Sequence, residues 1–206
     1  MKAWRSLWSD THAGPAAEFA LVLPLILLFL FGIIDVGRYV WEVNRAEKAT
    51  QTGARRAAVT ALIPSGLATY SFAVSGGVPA GGTVSNTAFP GVSCSSAAGT
   101  VSCACSPGGT CGWPSTVNTN AFTALVARMD DIKADITADD VVVDYSWSGL
   151  GFAGDPNGPD VVPIITVRLR NQEFRPFVGI LFNGAVSLPD FSYSLTMEDG
   201  ADMISN

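Results

Sequence analysis

Phe19–Ile34 reads FALVLPLILLFLFGII, carries no charged residue, and decides the architecture. Glu18 closes one end and Asp35 the other. Sixteen residues at about 1.5 Å each span roughly 24 Å, short of a hydrocarbon core of about 30 Å. Ala16 and Ala17 before the run, and Val36, Tyr39, Val40 and Trp41 after it, extend it to a membrane helix over 15–41. Tyr39 and Trp41 suit the headgroup level. A cleaved secretory signal is the rival reading. It fails because no A-x-A-like site follows the run, and Asp35-Val36-Gly37-Arg38 continues as helix.

Working outward, the helical pattern persists past the membrane. From Asp35 to about Leu62 there is no proline, and glycine stands only at 37 and 53. Pro24 lies inside the helix and removes one backbone donor, so a kink or local loosening is expected there. Pro64 and Gly66 stop it, which predicts an extension over 42–63. Ala49, Gly53, Ala57 and Ala61 recur every fourth residue as a stripe of small side chains that lets another backbone approach closely. Two readings stand: the stripe packs on the protein's own sheet, or it contacts a helix of another subunit.

Charge is unevenly spread. The formal net charge is -6; residues 1–56 hold seven Lys/Arg against five Asp/Glu, and residues 57–206 hold five against thirteen. An acidic outer domain without a basic stripe argues against nucleic acid and against docking on anionic headgroups. Lys2 and Arg5 precede the span while Arg38, Arg45 and Lys48 follow it, so the positive-inside rule leaves its direction open.

The cysteines settle direction better. Between Arg56 and Arg128 there is no Asp, Glu, Lys or Arg, and the stretch is rich in Gly, Ser, Thr, Ala and Pro. Such composition favours turns over a packed core, and it sets off 64–118 as an insertion outside the α+β body. Cys94, Cys103, Cys105 and Cys111 all fall inside it. Either 94–103 with 105–111 or 94–105 with 103–111 would staple it. A zinc site is disfavoured, because no C-x-x-C pair is present and the sole histidine, His12, precedes the membrane. Disulfides need an oxidising compartment, which places this part outside the cytoplasm.

Residues 119–206 read as α+β. Asn118 or Thr119 caps a helix whose Phe122, Leu125, Val126, Met129 and Ile132 or Ile136 keep helical spacing. Strands are expected at Val141–Trp147, Val161–Arg170 and Phe191–Met197, with a short apolar helix near Phe177–Phe182, giving an antiparallel sheet beside helices. Asp130, Asp131, Asp135, Asp139 and Asp140 do not have EF-hand spacing, and a solvated helix face ending in a turn is the reading preferred to calcium.

The stretch GPAAEFALVLPLILLFLFGIIDVGRYVWEVNRAEKATQTGARRAAV resembles the TadE/TadF-like pseudopilins of the tight-adherence pilus. The marks are small residues before Glu18-Phe19-Ala20-Leu21, Pro24 inside the apolar run, Asp35-x-Gly37-Arg38, and Gly53-Ala54-Arg55-Arg56-Ala57. Phe174, Pro176, Phe177 and a closing strand ending Thr196-Met197 are similar to the family's outer domain. The resemblance implies an α+β protein, a long N-terminal transmembrane helix followed by a pilin-like domain with a small antiparallel sheet, in which the disulfide-stapled loop looks like an insertion specific to this chain. It implies a structural role in the bacterial inner membrane, with the bulk of the chain extracytoplasmic. Other pilus subunits, inner-membrane assembly proteins and membrane lipid are the implied partners, with no cofactor.

Residues 1–14 then form a leader, and prepilin peptidase is a further implied partner. In the family the cleavage glycine precedes five residues ending in glutamate. Here only Pro15, Ala16 and Ala17 separate Gly14 from Glu18, and Ala13 occupies the expected place. Either the cut follows Ala13 or the chain is not cut. Glu18 and Phe19 are the residues expected to act in assembly. A second class of function is a membrane-anchored extracytoplasmic adhesin that binds through the Cys-rich loop. An enzyme is disfavoured: Gly76-Gly77 and Gly81-Gly82 lie in Ser/Thr/Pro loops, and no nucleophile elbow or phosphate loop is present.

Overall fold

The computed structural model describes residues 14–182 and 184–197. Helix α1, Gly14–Ala58, is continuous over 45 residues and runs through Pro24. The chain divides into two units, one of residues 1–42 with 173–186, the other of 43–172 with 187–206.

In the second unit the last turns of α1 bury Ala46, Ala49, Gly53, Ala54, Ala57 and Ala58. Thr50 is buried with them, and its hydroxyl is satisfied by donating to the Ala46 carbonyl at 2.8 Å. The helix stops at Ala58, short of the expected 63. The reason is tertiary. Leu62 and Ile63 turn into the core, where the Ile63 amide donates to the buried Tyr145 phenol at 3.2 Å and the Ile63 carbonyl accepts from Asn118 N at 2.7 Å. Those backbone groups are then no longer available to a helical ladder. Burial also pushes the Tyr145 hydroxyl pKa well above its ordinary 10.

Helix α2 (Ser65–Ala68) follows Pro64. Strands β1 (Val92–Ala97), β2 (Thr100–Cys105), β3 (Val141–Ser146), β4 (Ile164–Leu169) and β7 (Phe191–Thr196) form one sheet in the order β2-β1-β3-β4-β7. Every neighbouring pair in it is antiparallel. Helix α3, Thr119–Asp130, is capped by Asn118, whose side-chain oxygen accepts from Ala121 N at 3.0 Å. It buries Phe122, Leu125, Val126 and Met129, as their spacing predicts. Ile136 is buried beyond its end, while Ile132 is partly exposed. A short strand β5 (Glu173–Phe174), helix α4 (Phe177–Phe182) and strand β6 (Val186–Ser187) lie between β4 and β7, with β5 paired to β6.

The uncharged middle segment is mostly without regular structure, in keeping with its composition. It does not stand outside the α+β body, however. β1 is hydrogen-bonded between β2 and β3, and Leu67, Phe72, Val84, Phe89, Val92, Cys94 and Trp113 join the core. Tyr70, Phe72, Phe89 and Trp113 form an aromatic cluster with centroids 4.9–6.3 Å apart. The missing charges explain both outcomes. Gly and Ser break up helices and strands, yet a segment without ionised groups can be buried without their desolvation cost.

Candidate functional site

Two features stand apart from ordinary core packing: a clasp on α1 at the end of its apolar run, and the stapled β1–β2 hairpin.

The first belongs to the smaller unit. From Phe19 to Ile34 the large side chains of α1 are exposed, from 37% at Leu23 to 80% at Leu21, and among the described residues α1 is the helix long and apolar enough to cross a membrane. Asp35, the next residue, is buried. Its carboxylate accepts from the Phe177 amide at 2.7 Å and the Val178 amide at 2.9 Å, the first two residues of α4. Those amides have no partner inside α4, so Asp35 supplies from another element the cap that a helix start needs. Arg38 donates to the same carboxylate at 3.2 Å. The Arg38 guanidinium also lies 4.1 Å from the Phe177 ring centroid and 5.3 Å from that of Phe174, within cation–π range. Tyr39 meets Phe174 edge-on at 5.6 Å.

Thus Asp35-x-Gly37-Arg38 and Phe174-x-Pro176-Phe177, two marks 142 residues apart at Asp35 and Phe177, meet in one contact. Their chemistry could have suggested it: an acid and an arginine at the edge of an apolar run need partners, and a Phe–Pro–Phe stretch offers aromatic faces. No local spacing connects them.

The second feature sits in the larger unit. Cys94 bonds to Cys103 across β1 and β2, and Cys105 bonds to Cys111. The turn between the strands, Ala98-Gly99, has positive φ at both residues (49° and 78°). Glycine takes this region freely and alanine does not. Asp139 supports the turn, accepting from Ala98 N at 3.1 Å, Gly99 N at 3.4 Å and the Ser96 hydroxyl at 2.6 Å. The Ser96 hydroxyl and these amides hold the Asp139 pKa below its ordinary 3.8. Asp140 accepts from the Thr137 amide and hydroxyl, and Asp131 pairs with Arg128. Three of the five carboxylates of the acidic run, Asp131, Asp139 and Asp140, are therefore engaged with protein partners. Among the described residues no three His, Cys, Asp or Glu side chains converge as a metal site would require.

The other residues singled out from the sequence fall as follows. Gly14 is the first residue of α1, and Glu18 and Phe19 are exposed on it; Ala13 lies outside the described residues. Ala49, Gly53 and Ala57 are buried inside the larger unit. A Cβ on Gly53 would lie 2.7 Å from Met129 Sδ and 3.4 Å from Val167 Cγ1, so this part of the stripe packs on α3 and β4 of its own chain. Ala61 lies past the end of α1 and is partly exposed.

No curated protein and no solved structure matches the chain. The family model described as TadE-like protein matches residues 16–55. Those residues lie wholly within α1 and include the apolar run, Asp35 and Arg38, and the small-residue face through Gly53. It is over this helix that the chain is TadE-like, a likeness to a pilus-associated family.

Proposed function

We propose that the protein is a pseudopilin-like subunit acting in assembly of a tight-adherence pilus, with a structural and not a catalytic part. It is held in the bacterial inner membrane by α1, with the cysteine-bearing domain on the outer side. The observation that carries this reading is the coincidence of the TadE-like match with one helix, exposed and apolar in its first half and packed into the domain in its second. The two disulfides support an oxidising compartment for the domain. The partners are other pilus subunits and the inner-membrane assembly machinery, with prepilin peptidase acting on the leader if the cut follows Ala13.

Glu18 provides the test. A charged carboxylate costs roughly 2.5–3.5 kcal/mol at the centre of a membrane helix, and less near its end. Its position is explained if helices bundle and it meets a positive partner, such as the new N-terminal amine of a processed subunit. Glu18→Ala should leave membrane insertion intact while lowering co-purification with other pilus subunits and pilus output. Glu18→Gln should behave almost as badly. Normal assembly with Glu18→Ala, together with an intact Met1 on N-terminal sequencing, would overturn the processed-subunit reading.

The adhesin reading draws support from β2, an edge strand whose Thr100, Ser102 and Ala104 are exposed and uncharged. Deleting residues 86–112 cannot separate the two readings, because it would remove β1 and β2 from the sheet. Ser102→Asp with Ala104→Asp can: loss of adhesion with normal piliation would favour the adhesin.

A further inference from the structure

We propose that the excursion β5–α4–β6 is a second membrane contact, with α4 lying in the headgroup–acyl boundary beside the end of the apolar run. The proposal rests on the reading of α1 as a membrane anchor. Three observations carry it.

The first is direction. Phe174 meets Tyr39, Arg38 lies over both Phe174 and Phe177, and Phe177 and Val178 reach Asp35. Going from β5 into α4, the chain therefore runs along α1 toward the apolar stretch, and it arrives one residue from Ile34. The second is chemistry. Phe177-Val178-Gly179-Ile180-Leu181-Phe182 has no polar side chain, so α4 has nothing to offer water. The third is the exposure of the described apolar side chains in and beside it. In this unit, Phe174 is the one buried apolar side chain among those described, while Phe177 is 45% and Val186 46% exposed. A six-residue helix cannot be stable by itself in water, and neither propensity nor length supports it. An apolar helix beside the end of a membrane span is stabilised where interfacial helices lie, about 5–10 Å into the headgroup–acyl boundary.

The clasp then has a clear purpose. Asp35 satisfies the amides that start α4 where water is scarce, and Arg38 neutralises Asp35 while covering the two phenylalanine rings. Because the contact is apolar, it does not depend on anionic lipid, in agreement with the acidic outer domain.

The test uses the full chain in phosphatidylcholine vesicles. All four native cysteines are in disulfides, so a single added cysteine can be labelled selectively with an environment-sensitive fluorophore. Gly184→Cys is suited to this, since a Cβ there meets nothing within 4 Å. Leu27→Cys marks the apolar run and Val74→Cys, at a residue 85% exposed, marks the outer domain. Lipids carrying a quencher in the upper acyl chain should quench the label at 184, lipids carrying it near the chain end should quench that at 27, and both should leave that at 74 bright. Asp35→Ala should abolish quenching at 184 alone. If 27 is quenched while 184 behaves like 74, the interfacial contact is wrong and the anchor stands. If 184 is shielded from aqueous iodide but not quenched from the lipid, protein covers α4 and the proposal falls. If 27 escapes the lipid quencher, the anchor reading itself fails and takes the proposal with it.

Discussion

Replacing Gly53 by alanine separates the two meanings of the small-residue stripe. In the folded chain the added methyl would sit 2.7 Å from Sδ and 2.9 Å from Cγ of Met129. Met129 has no exposed surface, so its flexible thioether cannot swing aside without displacing neighbours. Such overpacking costs about 1–3 kcal/mol, while alanine in place of glycine inside a helix returns about 1 kcal/mol. The expected net loss is on the order of 1 kcal/mol, a fall in Tm of about 2–4 °C for a chain of this size. Met129→Ala alone should cost about 2–5 kcal/mol through the cavity it leaves. With that cavity present the methyl has room, and Gly53→Ala should become stabilising by about 0.5–1 kcal/mol. The sign reversal is the signature of direct contact. Denaturant unfolding of the full chain in detergent, followed through the buried Trp113, reads the four corners of the cycle. Equal effects of Gly53→Ala in both backgrounds would refute the packing account. Unchanged stability together with weakened subunit association would assign the stripe to a partner helix instead.

Two further predictions follow from the core and the staples. Tyr145→Phe leaves the buried Ile63 amide without its acceptor and should cost about 1–3 kcal/mol. Because burial raises the Tyr145 pKa, the neutral phenol is the form favoured on folding. Wild-type stability should therefore hold below pH 10 and decline above it, more steeply than that of the Phe variant. Non-reducing peptide mapping should recover Cys94 with Cys103 and Cys105 with Cys111. Removing the first pair as alanines should cost about 2–3 kcal/mol and more than removing the second, since Cys94 is fully buried on an inner strand and Cys105 is not; the reverse order would refute the assignment of β1 to the core.

Where the controlling interactions are close in the chain, the sequence is a good guide. The apolar run, the Asn118 cap with its i, i+3, i+4 core face, and the Val-rich β3 each carry their own periodicity, and each element forms near its expected bounds. The end of α1 was not legible, because Leu62 and Ile63 are drawn out of the helical pattern by Tyr145 and Asn118, both distant in sequence. The middle segment misleads for a related reason. Its core contribution comes from a few large side chains spread through turns, with no period to reveal them. At the candidate site, Asp35 and Phe177 were each visible as family marks, but the hydrogen bond joining them depends on the path of the whole intervening domain.

The stapled hairpin bears on how the sheet avoids a particular error. Cys94 faces Cys103 in register, and Cys105 lies opposite Val92. A slip of one residue would turn every β2 side chain to the wrong face and so be rejected by burial alone. A slip of two residues, about 7 Å along the strand, keeps every face correct and sets Cys94 opposite Cys105. Hydrophobic patterning is blind to that mistake, and a bond formed there would lock it covalently. With Cys105 already joined to Cys111, six residues away, the slipped hairpin has no thiol to seal it. Closing the smaller ring before the larger one would therefore exclude the slipped pairing that hydrophobic patterning tolerates.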